Sequence, residues 1–99
     1  MTLSIIEHDR AVRHYAIQML ADGYHVRARV EGWFDEPDTI SGYRPDIVAC
    51  KGNACLIIEI EKGQVDWPKI KALELYASTH PEFQLRLITP EQLPEGFVA

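Results

Sequence analysis

Two apolar segments separated by a four-residue turn constrain the fold of this chain more than any other feature. Residues 44–50 and 55–61 flank Lys51-Gly52-Asn53-Ala54, and glycine and asparagine are typical of tight turns. The pattern predicts a β-hairpin. In its second strand Leu56-Ile57-Ile58 is continuously apolar, which is typical of a strand buried on both faces. The sheet that contains this strand therefore needs a layer on each side.

A helix before the hairpin is predicted over residues 5–21. Ser4-Ile5-Ile6-Glu7 matches the capping-box pattern. Apolar residues then recur at helical spacing, with His8 among them, until Asp22-Gly23 ends the helix. Residues 24–31 alternate apolar and polar side chains, which predicts a first strand with one polar face.

After the hairpin the chain has the pattern of one more helix and one more strand. Asp66 is a suitable cap for a helix that contains Trp67 and Pro68 in its first turn and ends near His80. Residues 83–88 predict a fourth strand, and Thr89 caps a short final turn.

The order of elements is therefore αβββαβ, within a single domain over residues 1–99. Short loops between the first three strands predict antiparallel pairing, and the helix before the fourth allows a parallel, right-handed crossover. The expected fold class is α/β, a three-layer α/β/α arrangement with a mixed four-stranded sheet and one helix on each face.

Composition narrows the class of protein. The formal net charge of −5 argues against a protein that coats nucleic acid nonspecifically. No apolar run approaches the roughly 20 residues of a membrane helix, and no signal peptide is evident, so we expect a cytoplasmic protein that does not enter a membrane. The cysteines Cys50 and Cys55 fit no zinc motif, and we expect two reduced, buried side chains facing each other across the hairpin.

Three acidic residues stand at one end of the hairpin. Asp46 begins the first strand, and Glu59 and Glu61 end the second. An antiparallel hairpin places these ends side by side, and alternation puts Glu59 and Glu61 on the same face. Repulsion among three partly buried carboxylates raises their pKa values, and a divalent cation relieves it. The pattern predicts a site for Mg²⁺ or Mn²⁺. It also predicts that Asp46→Asn stabilises the metal-free protein slightly.

Pro45-Asp46, twelve intervening residues and Glu59-Ile60-Glu61, set in this order of elements, resemble the PD-(D/E)XK nuclease superfamily. The resemblance covers Ser4 to Thr89. It implies a nuclease that hydrolyses DNA phosphodiester bonds with Mg²⁺ or Mn²⁺. It implies Asp46, Glu59 and the backbone carbonyl of Ile60 as metal ligands, with Glu7 as a further candidate acid on the first helix.

The third motif position departs from the family pattern, because Glu61 stands where the family usually has lysine. Some restriction enzymes of the superfamily are similar, and in them this glutamate handles metal and water. We therefore expect Glu61 to be a ligand and catalytic residue, with Lys69 or Lys71 of the second helix supplying the missing cation.

Basic residues near the predicted site are candidates for binding DNA. They could form a phosphate-binding edge. Pairing of the arginines with the loop acids Asp35, Glu36 and Asp38 is the alternative. The candidates are Arg27, Arg29, Arg44 and Lys62.

The four histidines lack metal spacing, and we expect surface or capping roles for His8, His14, His25 and His80. A domain this small leaves little room for separate recognition, so we expect a homodimer or a DNA-targeting protein partner, with Trp33, Trp67 or Phe97 at the contact. Two other functions remain open. One is a catalytically degenerate nuclease fold that serves as a binding or assembly module, and the other is a small acidic interaction protein such as an inhibitor or immunity factor.

Overall fold

The computed structural model describes residues 2–94 and contains the expected elements in the expected order. Phe97 lies outside this range. The helices and strands are α1 (Ile5–Ala21), β1 (His25–Ala28), β2 (Ile47–Lys51), β3 (Ala54–Ile60), α2 (Trp67–Thr79) and β4 (Phe83–Ile88), followed by a 3-10 turn at Pro90–Gln92.

The four strands form one mixed sheet in the order β1-β2-β3-β4. The first three pair antiparallel, and β4 pairs parallel to β3. Strand β3 therefore lies inside the sheet, as its apolar run predicts, and Ile57 and Ile58 are almost fully buried. The predicted topology is confirmed.

The two helices cover opposite faces of the sheet. Ile47, Ile58 and Ile60 belong to one core with Val12 and Ala16 of α1. Alternation turns Glu59 to the other face, where Lys69 of α2 contacts it. The three-layer α/β/α architecture is confirmed, and the hairpin carries its carboxylates into the space beside α2.

The helix ends follow the local sequence closely. Ser4 Oγ accepts from the Glu7 N–H at 3.1 Å, and Glu7 Oε1 accepts from the Ser4 N–H at 2.9 Å, so the capping box is formed. Gly23 has a φ of 91°, the left-handed conformation expected after α1. At α2, Asp66 Oδ1 accepts from the Lys69 N–H at 3.3 Å.

Strands β1 and β2 are shorter than the predicted 24–31 and 44–50. The Trp33 N–H turns back to the Val30 carbonyl at 3.1 Å, and Gly32 has a φ of 84°, so the chain leaves the β1 direction there. Pro45 has no N–H for a ladder bond, which delays β2. One further bond continues the pairing, because Arg29 N–H donates to the Asp46 carbonyl at 2.8 Å. This bond holds Asp46 at the sheet end.

The expectation of two reduced cysteines is wrong, because Cys50 and Cys55 form a disulfide. The two residues are directly opposed in the β2–β3 register, with Cα atoms 4.1 Å apart. Such a pair brings the two sulfurs together. Both side chains are half-buried rather than buried.

No helix within residues 2–94 has the length and apolar character needed to cross a lipid bilayer.

Candidate functional site

The candidate site lies where β2 and β3 end, at the opposite end of the hairpin from its turn. A cleft of about 420 Å³ opens there, between the sheet end, α1 and the start of α2. The residues that line it come from all three layers: His8, Asp9, Arg29, Asp46, Glu59, Ile60, Glu61, Lys62, Gln64, Asp66 and Lys69. The three acids that the sequence places together, Asp46, Glu59 and Glu61, therefore line one cleft.

Asp46 is buried and firmly bonded. Its Oδ2 accepts from the Ile60 N–H at 2.9 Å and lies 3.3 Å from His8 Nε2. Burial alone raises the pKa of the carboxyl group, but the bond from His8, the positive charge on that ring and the Ile60 N–H hold it below the ordinary value. Asp46 is thus ionised throughout the neutral range.

Glu59 is the most buried acid of the site, with 2% of its surface exposed. Its Oε2 accepts from the Asp46 N–H at 2.7 Å, and its Oε1 forms an ion pair with Lys69 Nζ. Burial, followed by the negative charge of Asp46, raises the pKa of Glu59 to about 7 despite Lys69. The ionised form of Glu59 is therefore disfavoured by its surroundings.

Glu61 is also buried and lines the same cleft. Burial raises its pKa, while a hydrogen bond from the Asp66 N–H opposes the rise. Asp66 is the cap of α2, so the start of that helix and the third carboxylate of the motif are tied together.

His8 is a residue of this cleft that the sequence interpretation missed. Its Nε2 lies 2.9 Å from the Ile60 carbonyl oxygen and 3.3 Å from Asp46 Oδ2, and its Nδ1 lies 3.3 Å from Asp9 Oδ1. Burial lowers the pKa of the imidazole, but the bond to Asp46 and that residue's charge outweigh burial and raise it. A surface or capping role for His8 is wrong, and a signal existed, because His8 falls on the apolar stripe of α1.

The two lysines of α2 differ in burial and in their position relative to the cleft. Lys69 lies against Glu59, with 16% of its side chain exposed. Lys71, the other candidate, is exposed and does not line the cleft. Glu7, the candidate acid of α1, forms the capping box instead.

The predicted basic edge is only partly assembled. Arg29 and Lys62 line the cleft. Arg27 pairs instead with Asp35, and Arg44 with Glu36, each at 3.2 Å, which is the alternative foreseen for the arginines. Two of the four candidate DNA-binding residues therefore face the carboxylates.

The donor atoms suit a hard divalent ion, but hydrogen bonds occupy several of them. Within residues 2–94, no set of three or more histidine, cysteine, aspartate or glutamate side chains is arranged to hold a metal. The Oδ2 of Asp46 and both oxygens of Glu59 are already engaged. Binding of Mg²⁺ or Mn²⁺ thus requires local adjustment, above all at Lys69.

His8 Nε2 lies beside two atoms named above as candidate ligands, the Ile60 carbonyl oxygen at 2.9 Å and Asp46 Oδ2 at 3.3 Å, and both separations are those of hydrogen-bond contacts.

Compared with known protein families and with characterised proteins, the sequence matches none.

Proposed function

We propose that this protein is a divalent-metal-dependent nuclease that hydrolyses DNA phosphodiester bonds at the Asp46–Glu59–Glu61 site. One observation supports the proposal: two buried carboxyl groups, that of Asp46 just before β2 and that of Glu59 in β3, meet beside a lysine in an open cleft. Burying acids together is unfavourable, and burial and the charge of Asp46 raise the pKa of Glu59 even though Lys69 pairs with it. The resemblance of the motif to PD-(D/E)XK nucleases points to the same chemistry.

Each residue of the cleft has a proposed role that follows from its position. Asp46, Glu59, Glu61 and the Ile60 carbonyl would hold Mg²⁺ or Mn²⁺, with His8 as a further ligand. When bound, the metal supplies charge stabilisation for the phosphate and a more acidic water. Lys69 contributes the positive charge that the usual lysine of the motif would provide. Arg29 and Lys62, on the wall of the cleft, hold the flanking phosphates.

A second function is supported by the hydrogen bonds that already engage the acids. His8 and Lys69 neutralise Asp46 and Glu59 without a metal. A catalytically degenerate fold that acts as a binding or assembly module would keep this arrangement unchanged. An acidic inhibitor or immunity protein is less well supported, because its acids would spread over a surface, whereas these converge and are buried.

Titration with Mn²⁺ separates the two functions. We expect the wild-type protein to bind Mn²⁺ by calorimetry, to melt at a higher temperature with it, and to cleave DNA. Asp46→Asn should remove all three effects. Glu74→Gln, which changes an exposed acid of α2 outside the cleft, is the matched control. If the protein neither binds Mn²⁺ nor cleaves DNA, the catalytically degenerate module is the function that remains.

Substitution of single histidines tests whether His8 belongs to the metal site. His8→Ala should weaken Mn²⁺ binding about 10- to 100-fold, the range seen when groups that order a metal site are lost. His14→Ala alters another α1 histidine that does not line the cleft and should leave the affinity unchanged. Equal affinities for both variants would remove His8 from the site.

Partners and location belong to the same proposal. DNA is the proposed substrate, and a homodimer or a DNA-targeting protein is the proposed source of recognition. A cytoplasmic location stays a prediction. The Cys50–Cys55 disulfide argues against a cytoplasmic location, since such bonds persist mainly in oxidising compartments.

A further inference from the structure

The sheet face that carries the candidate site continues beyond it. Cross-strand neighbours form rows on this face: Arg29, Asp46 and Glu59 in one, and Arg27, Val48 and Ile57 in the next. The rows are two residues apart along each strand, or about 7 Å. That distance is about the length of one extended nucleotide.

A separate pocket of about 330 Å³ lies at the second row. It is lined by Arg27, Val48 and Phe83 of the sheet, by Tyr76 of α2 and by the loop at residues 38–41. The two rings meet edge to face, with centroids 5.2 Å apart. Apolar and aromatic walls with a polar rim suit a flat ring whose edge carries hydrogen-bonding groups.

Charges of both signs lie around the pocket. Arg27 lies at its edge, on the same face of β1 as Arg29 of the cleft, and Asp38 lies in the rim. Because Arg27 pairs with Asp35, a phosphate at this row would compete with Asp35 for the guanidinium group. A strand that placed a phosphate at Asp46 and Glu59 would have its next nucleotide at Val48. The base of that nucleotide would meet the Tyr76 and Phe83 rings.

We infer that this pocket, defined by Arg27, Val48, Tyr76, Phe83 and residues 38–41, binds an unpaired nucleobase next to the phosphate that is cut. The inference rests on the proposed nuclease function and names its substrate class, which is single-stranded nucleic acid or a duplex with an unpaired nucleotide. A paired base cannot enter, because its hydrogen-bonding edge and both stacking faces are already used inside the duplex. Stacking on aromatic rings tolerates any base, so the selectivity is for unpaired structure and not for sequence.

The probe is a single-stranded oligonucleotide that contains 2-aminopurine, with EDTA present so that nothing is cleaved. We expect its fluorescence to fall when the base stacks in the pocket. Thr39→Trp fills the pocket from an exposed rim position and should weaken binding about tenfold or more. Tyr76→Leu, which removes a wall, should have the same direction of effect. Glu74→Trp, on an exposed position of α2 outside the pocket, is the control for the added indole.

The same variants are then compared in Mn²⁺ with matched single-stranded and fully paired substrates. Wild type should cut the single strand at least tenfold faster, and Thr39→Trp should reduce this preference. Cleavage without any preference, an unchanged fluorescence, or no binding of the oligonucleotide would overturn the inference. Oligonucleotide binding that Thr39→Trp weakens, in a protein that cleaves nothing and binds no Mn²⁺, would support the pocket and remove the nuclease function.

Discussion

The carboxyl groups of Asp46 and Glu59 lie side by side, yet their surroundings shift their pKa values in opposite directions. Asp46 receives His8 and the Ile60 N–H, so its ionised form is favoured. Glu59 is more deeply buried and faces the Asp46 charge. The expectation that all the acids of the cluster have raised pKa values is therefore wrong for Asp46. Asp46→Asn removes a favourable charge and should destabilise the metal-free protein.

Lys69 and Lys71 provide a paired test of where the catalytic cation lies. Lys69→Met removes the cation that pairs with Glu59, so we expect cleavage to fall about 100-fold or more. Lys71→Met, two residues along the same helix, changes an exposed lysine and should retain full activity. Initial rates on one DNA substrate give the comparison. Equal losses for the two variants would contradict the assignment of Lys69.

At the residue scale the sequence predicted well which acids line one cleft and poorly which hydrogen bonds they make. Strand alternation places Asp46, Glu59 and Glu61 together without any knowledge of the rest of the fold. The choice between Lys69 and Lys71 depends on how α2 rotates against the sheet, which is a tertiary property. His8 was discounted for lack of metal spacing, although its partners, Asp46 and Ile60, are distant in the chain.

At the scale of single elements, the helices were predicted to within a residue and the strands less accurately. Capping residues fix helix ends locally, as Ser4 does for α1 and Asp66 for α2. Strand ends depend on pairing with distant residues, so the end of β1 at Ala28 follows from the turn at Gly32 and not from its own alternation.

The hairpin disulfide should contribute measurably to stability. It closes a loop of six residues, from Cys50 to Cys55, and a constraint of this size on the unfolded chain is worth about 2 kcal/mol. We expect Cys50→Ser to lower the free energy of unfolding in urea by about that amount. Dithiothreitol should lower the stability of the wild type similarly and leave the variant unchanged. A wild-type protein insensitive to reductant would show that the bond is absent in solution.

For the molecule as a whole, the buried cluster predicts how stability varies with pH. The folded state holds protons on Glu59 and Glu61 more tightly than the unfolded state does, so stability falls as pH rises from about 4.5 to 7. His8 acts in the same direction, because the stability from its raised pKa is complete below 6.5 and lost above. Asp46 has the opposite effect on stability, and only in acid. The stability that comes from its lowered pKa is lost as the pH falls below the ordinary value of 3.8.

Thermal melts of the metal-free protein between pH 4.5 and 8 measure this slope. For Glu59, the rise of the pKa from 4.5 to about 7 corresponds to on the order of 3 kcal/mol in the free energy of unfolding. Glu59→Gln should flatten the decline, whereas Glu74→Gln, an exposed acid on α2, should retain it. A stability that rises through this range would contradict the assigned pKa directions.

Association of two copies would bury apolar side chains that the single chain leaves exposed. Trp67 is 56% exposed, whereas Trp33 is half-buried and donates its Nε1–H to the Val26 carbonyl at 3.0 Å. We therefore expect a homodimer through the start of α2, and light scattering should show twice the chain mass. Trp67→Lys should give a monomer, and Trp33→Phe should not. A monomer at high wild-type concentration would refute the prediction.

The topology was predictable because no helix interrupts the connections between the first three strands and the buried strand is recognisable from its composition. The three layers, the antiparallel hairpin and the parallel β4 all follow from that information. The two pockets do not, since both depend on the path of the loop at residues 29–46 and on the packing of α2.

The Cys50–Cys55 bond encloses the exposed turn at residues 51–54, and trypsin cleaves after lysines such as Lys51. A cut there would divide the chain between the strand that carries Asp46 and the strand that carries Glu59. The two fragments would nevertheless migrate as one species on a gel without reductant. The sheet would keep its ladder, and both carboxylates would stay at the uncut end. The hairpin can thus be severed without being taken apart.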